Sequence, residues 1–316
     1  MIRRALTFLI ISATFLISCS KYFVKSEIQD SFTQIMQETS NNRTAFLFFT
    51  DPHINEDNIQ FREYLGNIKK YYEALPLEFC LSGGDWLNNN DTCSEAIEKL
   101  TFINAITQDY FGPKFYSLLA NHDTNYQGLP DGDDEGQTAE LSHDQLVDLL
   151  FKKVGNTYYS IKNEYSVFYV LDSGIDWDVK MSPFRWEQCH WLANELLTNE
   201  EENIVIAMHI FTNNRKDPTE LSHNVMRISE AHKNRESILL DGTEYDFSKS
   251  KGRVACVLCG HCHKDFTIND YSIPVVGTTH LRAGNTPTYD LIVFDWERGL
   301  MNMIRVGYGE DRIFEI

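Results

Sequence analysis

The chain predicts an α/β fold, and three observations carry that expectation. Five short, nearly uninterrupted apolar runs recur along it, at 45–49, 77–81, 115–119, 203–208 and 253–259. Runs of that length without polar alternation read as strands buried on both faces. Longer segments with apolar residues at helical spacing lie between them. Each run is followed at once by small and polar residues, as where a buried strand ends in a functional loop.

The 316 residues are enough for one large core or two modest ones. Hydrophobic content of 42% and charged content of 23% are ordinary for a globular protein. The formal net charge of −18 repels nucleic-acid backbone and anionic membrane surfaces. It also disfavours a polyanionic substrate unless bound metal ions reverse the local field.

The N-terminus reads as an export signal. Arg3 and Arg4 are followed by an apolar stretch from Ala5 to Ile17, too short for a comfortable membrane span. It ends in Leu16-Ile17-Ser18-Cys19, which resembles a bacterial lipobox. The expectation is a lipoprotein signal peptide over 1–18 and a lipidated Cys19 that tethers an exported domain to the cell envelope, on its periplasmic or cell-surface face. A plain signal peptide or an N-terminal anchor is the alternative. Removing 1–18 leaves 26 basic against 46 acidic residues, a charge of −20. Of the six remaining cysteines, Cys256, Cys259 and Cys262 have knuckle-like spacing but no second matching pair. Cys256 and Cys259 lie in an apolar run, where free cysteine behaves as a small buried hydrophobe.

Taken in order, residues 19–43 form a tether and lead-in. Ser26 and Gln29 fit a capping box. Ile28, Phe32, Ile35 and Met36 follow helical spacing, so an amphipathic helix packs on the domain. The first strand, 45–49, precedes Asp51-Pro52-His53, and a helix follows near 61–75. The second strand precedes Gly83-Gly84-Asp85-Trp86. A helix over 94–107 shows an apolar face of Ile97, Leu100, Phe102 and Ile103. The third strand delivers Asn121-His122-Asp123. The Gly/Asp-rich stretch 128–140 is a surface loop, with a substrate-facing lid as the second reading. Residues 158–161 and 165–171 form a hairpin, and 186–197 a helix. The fourth strand ends at His209. Residues 212–250 are polar and irregular around a helix at 225–232. The fifth strand delivers Gly260-His261-Cys262-His263. The remainder is strand-rich, at 273–276, 291–296 and 301–306. No repeat or linker interrupts 44–316, so one domain is expected.

The residues that follow the strands form a set: Asp51 and His53, Asp85, Asn121 and His122, His209, His261 and His263. Residues two apart share a side in extended backbone, so Asp51/His53 and His261/His263 are each expected to offer two ligands to one region. Strand ends gather along one edge of a sheet in α/β proteins. Besides His122 the set holds four imidazoles, two carboxylates and an amide. That exceeds one tetrahedral zinc site and suits two borderline cations. Any one such residue is ordinary; the ordered set is what points to a metal centre.

In this order the blocks resemble the calcineurin-like metallophosphoesterases, whose pattern is Asp-x-His, Gly-Asp, Gly-Asn-His-Asp/Glu, a lone His, and Gly-His-x-His. The resemblance runs from residue 45 to about 296. It implies a four-layer αββα sandwich of two packed mixed β-sheets flanked by helices. It implies one ion on Asp51, His53, Asp85 and His263 and a second on Asp85, Asn121, His209 and His261, with Asp85 bridging. The activity it implies is hydrolysis of phosphate mono- or diesters. A metal-activated hydroxide attacks phosphorus, and His122 stabilises or protonates the leaving group. Two departures stand out. Ala120 replaces the usual Gly. Asn88 stands three after Asp85, where many relatives carry an Asp that supports the catalytic His, which leaves Asp123 as a candidate to orient His122.

The cofactors are expected to be two divalent or mixed-valence transition-metal ions: Mn, Fe, Zn, Co or Ni. The partner is a small or moderately sized phosphate ester, with membrane contact through the Cys19 lipid only and no nucleic acid. Arg185, Arg282, His280 and Trp86 are weaker candidates for substrate contact. Absence of a Walker A signature and of a Gly-x-Ser-x-Gly elbow leaves nucleotide motors and serine hydrolases unsupported. The rivals are a metal-dependent nuclease on the same site, a metal-binding surface lipoprotein without turnover, and a structural zinc on Cys256, Cys259 and Cys262.

Overall fold

Two six-stranded mixed sheets, stacked face to face with helices outside them, make up the body of the protein. The computed structural model describes residues 24–54, 58–125, 140–174, 186–211 and 221–316. The expected signal peptide, Cys19, the loop 128–139, Arg185 and residues 212–220 lie outside the described residues. No described helix is long and apolar enough to cross a membrane.

The first sheet contains β1 (Arg43–Phe49), β2 (Cys80–Ser82), β3 (Phe115–Ser117), β12 (Tyr289–Asp295), β13 (Leu300–Val306) and β14 (Arg312–Glu315), in the order β14-β13-β12-β1-β2-β3. The second contains β4 (Tyr159–Lys162), β5 (Ser166–Val170), β6 (Asn203–Ala207), β9 (Arg253–Cys259), β10 (Phe266–Ile268) and β11 (Val275–Gly277), in the order β10-β11-β9-β6-β5-β4. A separate hairpin pairs β7 (Ser237–Leu240) with β8 (Thr243–Asp246). The helices are α1 (Ser26–Glu38), α2 (Asn58–Ala74), α3 (Cys93–Phe111), α4 (His143–Leu146), α5 (Trp186–Thr198) and α6 (Leu221–Asn234). A π-helical turn over Val147–Phe151 continues α4.

β1, β2 and β3 are parallel neighbours, and so are β5, β6 and β9. Parallel strands need crossovers, which α2 and α3 supply in the first sheet and α5 and α6 in the second. Burial explains the apolar runs. Phe168, Val170, Val205, Ala207, Cys256 and Leu258 face the core between the sheets. Val167, Tyr169, Ile204, Ile206, Val257 and Cys259 face the other way, onto Leu192, Leu196, Val225 and Ile228 of α5 and α6. With both faces covered, no polar alternation remains to be read. A bulge between Ile204 and Val205 shifts the register against β9.

Helix α3 opens on a complete capping box, Thr92 with Glu95, and stops at Gly112 with φ of 59°. In α1, Phe32 is buried and Ile28, Ile35 and Met36 pack against the core, as the spacing predicts. Its cap differs from expectation. Lys25 holds the N-cap position without a side-chain bond, so Ser26 is already helical and no capping box forms. The cysteine cluster also dissolves. Cys256 and Cys259 point to opposite faces of the second sheet, Cys262 is exposed, and all six described cysteines are unpaired. A shared zinc on those three thiols is excluded by that geometry.

Candidate metal centre

The five strands that carry the polar blocks end at one edge of the sandwich. β1, β2 and β3 lie side by side in the first sheet, β6 and β9 side by side in the second. Their C-terminal ends converge, which brings Asp51, His53, Asp85, Asn121 and His122 opposite His209, His261 and His263. Two clusters result. Ligand atoms of Asp51, His53, Asp85 and His263 lie within 4.8 Å of one another, and so do those of Asp85, His209 and His261. Asp85 belongs to both.

The distances are short for groups that do not all hydrogen-bond. His209 Nε2 stands 3.0 Å from Asp85 Oδ2 and 3.7 Å from Asp51 Oδ1. His263 Nε2 is 3.2 Å from Asp51 Oδ1, and His53 Nε2 is 3.7 Å from Asp85 Oδ2. Asp51 and His209 are wholly buried and Asp85 is 1% exposed. Asp51 Oδ1, Asp85 Oδ2, Asn121 Oδ1 and His209 Nε2 are shielded from solvent and have no hydrogen-bond partner among the described residues. Orphaned buried acceptors are costly. Asp51 Oδ1, Asp85 Oδ2 and His209 Nε2 converge with further imidazoles in the two clusters, which fits a pair of cations with mixed N/O ligands.

Backbone contacts aim the rings. His209 Nδ1–H donates to Gly83 O at 2.6 Å and His53 Nδ1–H to Leu87 O at 2.9 Å. Each bond commits Nδ1 and leaves Nε2 turned to the carboxylates. Thr50 Oγ1 donates to Asp51 Oδ2 at 2.7 Å, and the His261 N–H donates to the same oxygen at 3.0 Å. Those two bonds leave Oδ1 of Asp51 for the centre.

Among the described residues, five of the ten non-glycine residues with positive φ are in this set: Asp51 at 52°, His53 at 41°, Asp85 at 62°, His261 at 68° and His263 at 54°. The pairs Asp51/His53 and His261/His263 therefore reach one region through left-handed backbone, not through the alternation of an extended chain. Such conformations cost of order 1–3 kcal/mol each and persist where surrounding bonds impose them. Here Asp51 N–H donates to Gly84 O, His53 N–H to Asp85 O and Ile54 N–H to Trp86 O, which ties the first two loops together. Gly260 is required by space: a Cβ there would overlap Thr50 Oγ1 and stand 2.8 Å from Asp51 Oδ2. Ala120 fits because Gly84 faces it; a Cβ on Gly84 would be 2.7 Å from the Ala120 Cβ.

Charge follows the geometry. Burial alone would lower the His209 pKa, but the carboxylates of Asp85 and Asp51 outweigh it and push it up to about 9. Burial opposes ionisation of Asp85 and Asp51, and the neighbouring imidazoles, His209 foremost, overcome it and hold both below the usual carboxylate range. Burial lowers His53 and His261, whereas the Asp51 carboxylate close beside it raises His263.

His122 sits at the mouth. Its ring packs edge-to-face on His53 at 5.1 Å, and Nε2 is 3.9 Å from Asp85 Oδ2. Asp123 does not orient it: His122 Nδ1 has no hydrogen-bond partner among the described residues. Asp123 is instead wholly buried and accepts N–H bonds from Asp85 at 3.1 Å, Trp86 at 2.7 Å and Ala120 at 3.0 Å. It positions the Asp85 turn and has no place among the reacting groups. Burial and the Asp85 charge raise its pKa to about 7. Asn88 donates to Ile54 O at 2.8 Å. Trp86 is wholly buried with Nε1–H donating to Ser117 Oγ at 2.9 Å, so it is structural. Arg282 donates to His53 O at 2.9 Å, and His280 stacks on His263 with ring centres 5.1 Å apart. Thr50, Gly83 O and Leu87 O support the ligands and went unread in the sequence. Only adjacency to a ligand hinted at Thr50, and backbone carbonyls leave no sequence signal.

The fold is that of the calcineurin-like metallophosphoesterases. A dimetal phosphatase from Danio rerio superposes with a TM-score of 0.58 at 12% identity, over 85% of this chain and 98% of that one. A purple acid phosphatase from yellow lupin (Lupinus luteus) seeds superposes with a TM-score of 0.52 at 10% identity, over 86% of this chain and 53% of that one. No protein-family model matches the sequence, and no curated protein does.

Proposed function

We propose that the chain is a metal-dependent phosphoesterase that hydrolyses a small or moderately sized phosphate mono- or diester. The observation that carries this reading is the shared Asp85, which belongs to both ligand clusters at the head of the sandwich. Asp51, His53, Asp85 and His263 would hold one ion, and Asp85, Asn121, His209 and His261 the other. When bound, two such ions grip phosphoryl oxygens and lower the pKa of a coordinated water. The chain's own contributions are separate. His122, with its side chain 30% exposed, presents Nε2 at the mouth and gives a proton, or a hydrogen bond, to the leaving oxygen. Asp123 keeps Asp85 in register through its three N–H bonds. The net charge of −18 speaks against a nuclease. The basic and apolar N-terminus with Cys19 supports an exported, lipid-tethered protein; Cys19→Ser would then move it from the membrane fraction to the soluble one.

The test pairs metal analysis with hydrolysis of para-nitrophenyl phosphate and bis-para-nitrophenyl phosphate, using the full chain purified in detergent without chelator. The expected result is about two ions per chain and turnover that Asp85→Asn abolishes. A well-folded chain that takes no more than one ion after reconstitution would overturn the binuclear reading. Two ions without turnover of either ester would favour a binding protein.

A further inference from the structure

His263 is the most exposed of the ligand side chains, at 47%, and its backbone is left-handed with φ of 54°. The rings of His53 and His280 pack on its imidazole, but the loop beneath it must be held by other contacts. Its carbonyl accepts from Thr279 Oγ1 at 3.0 Å. The Thr279 N–H donates to Asp265 Oδ1 at 3.0 Å, and Asp265 lies two residues beyond His263 on the same loop. Asp265 is gripped by both terminal nitrogens of Arg305, at 2.7 and 3.1 Å.

Arg305 belongs to β13 of the other sheet, and its side chain is 1% exposed. Its Nε also donates to Asp290 Oδ1 at 2.8 Å, and its remaining donors reach Tyr308 O, Thr278 Oγ1 and Asp290 Oδ2. Arg312 joins from β14, donating to Gly277 O at 2.8 Å and Asp290 Oδ2 at 3.1 Å. Every guanidinium donor of Arg305 is used, in the planar fork that only arginine offers. Burying Arg305 and Asp290, with Arg312 and Asp265 only partly covered beside them, is a weak way to stabilise a fold. It is an effective way to fix one geometry. What this network fixes is the loop that ends the Gly-His-Cys-His block.

We propose that Arg305 is a positioning residue for the metal centre, acting through Asp265 and Thr279 to hold His263 toward its ion. The inference rests on the two-ion reading given above. Removal of such supports weakens metal binding roughly 10- to 100-fold. The chain of bonds ends on His263 and not on His261, so the loss falls mainly on the ion of His263.

Manganese is titrated calorimetrically into the metal-stripped full chain in detergent, with electron paramagnetic resonance to separate coupled from isolated ions. Arg305→Lys keeps the charge and loses the fork. Thr279→Val keeps the shape and loses the hydroxyl on His263. In both variants one ion is expected to weaken roughly 10- to 100-fold while the other holds, and the exchange-coupled spectrum gives way to that of isolated manganese. The metal-free melting point of Thr279→Val stays near that of the unaltered chain. Should Arg305→Lys fail to fold, Thr279→Val and Asp265→Asn carry the test. Unchanged binding of both ions in the folded variants overturns the proposal. So does an equal loss at both ions together with a fallen metal-free melting point, which would mark a purely structural role. Fewer than two ions in the unaltered chain would sink the two-ion reading first, and the inference with it.

Discussion

His122 and Asp123 are neighbours in sequence with opposite fates. His122 turns to the mouth, over His53, and holds no ligand position in either cluster. Replacing it with Ala is expected to lower kcat by roughly 10²–10⁴ while the metal content stays at the unaltered level. Steady-state kinetics and metal analysis on one preparation check this; loss of an ion would make His122 a ligand instead. Asp123 turns inward and serves backbone N–H groups that lie 37 and 38 residues away as well as that of Ala120. Asp123→Ala strands three buried donors, each costing about 1–3 kcal/mol. The variant is expected to lose at least about 3 kcal/mol in urea denaturation, and Asp123→Asn, which keeps an acceptor, distinctly less. The metal ligands were legible from the sequence because each follows a recognisable strand. Asp123 was not, because its partners are distant backbone groups, which leave no pattern.

At the scale of elements, the strands buried on both faces were the readable ones. β1, β5, β6, β9, β12 and β13 are near-continuous apolar runs because a sheet or a helix covers each side. The elements that escaped are half-exposed. Only Tyr245 of β8 is buried, and β10 and β14 contain no buried residue. The β7–β8 hairpin did carry a signal: Asp241-Gly242, with φ of 42° and 80°, between two short runs. Surrounding polar residues hid it. Helix α6 and the segment beyond this hairpin enclose His232, which is wholly buried; its Nε2–H donates to Lys251 O at 2.9 Å and Nδ1 has no partner among the described residues. Burial foremost, with Arg235 nearby, lowers its pKa to about 4. Below the unfolded value near 6.5 the unfolded chain gains a proton that the native ring refuses, so stability falls as pH drops from about 6.5 toward 4. By pH 5 the loss is about 2 kcal/mol. Urea denaturation at pH 7 and pH 5 should show a smaller drop in His232→Gln, which can still donate to Lys251 O and does not titrate.

The whole molecule places its ligands on both sheets. Asp51, His53, Asp85 and Asn121 follow strands of the first sheet, and His209, His261 and His263 follow strands of the second. Each cluster takes residues from both. Ions bound there would cross-link the layers at the head of the sandwich, where Asp51 and Asp85 are the buried charges to be compensated. Because the site exists only in the native state, binding becomes folding free energy, about 4 kcal/mol at a thousand times Kd. For a domain of this size that corresponds to a rise in Tm on the order of 10 °C. The rise should follow the logarithm of free manganese concentration and appear as one shift of a single transition, since neither sheet can release the ions without the other. In Asp85→Asn, which removes the carboxylate common to both clusters, the dependence on manganese should be largely lost. Scanning calorimetry across a manganese series separates the outcomes. A transition that splits, with only one part responding to metal, would mean that the ions belong to one sheet and that the layers unfold independently.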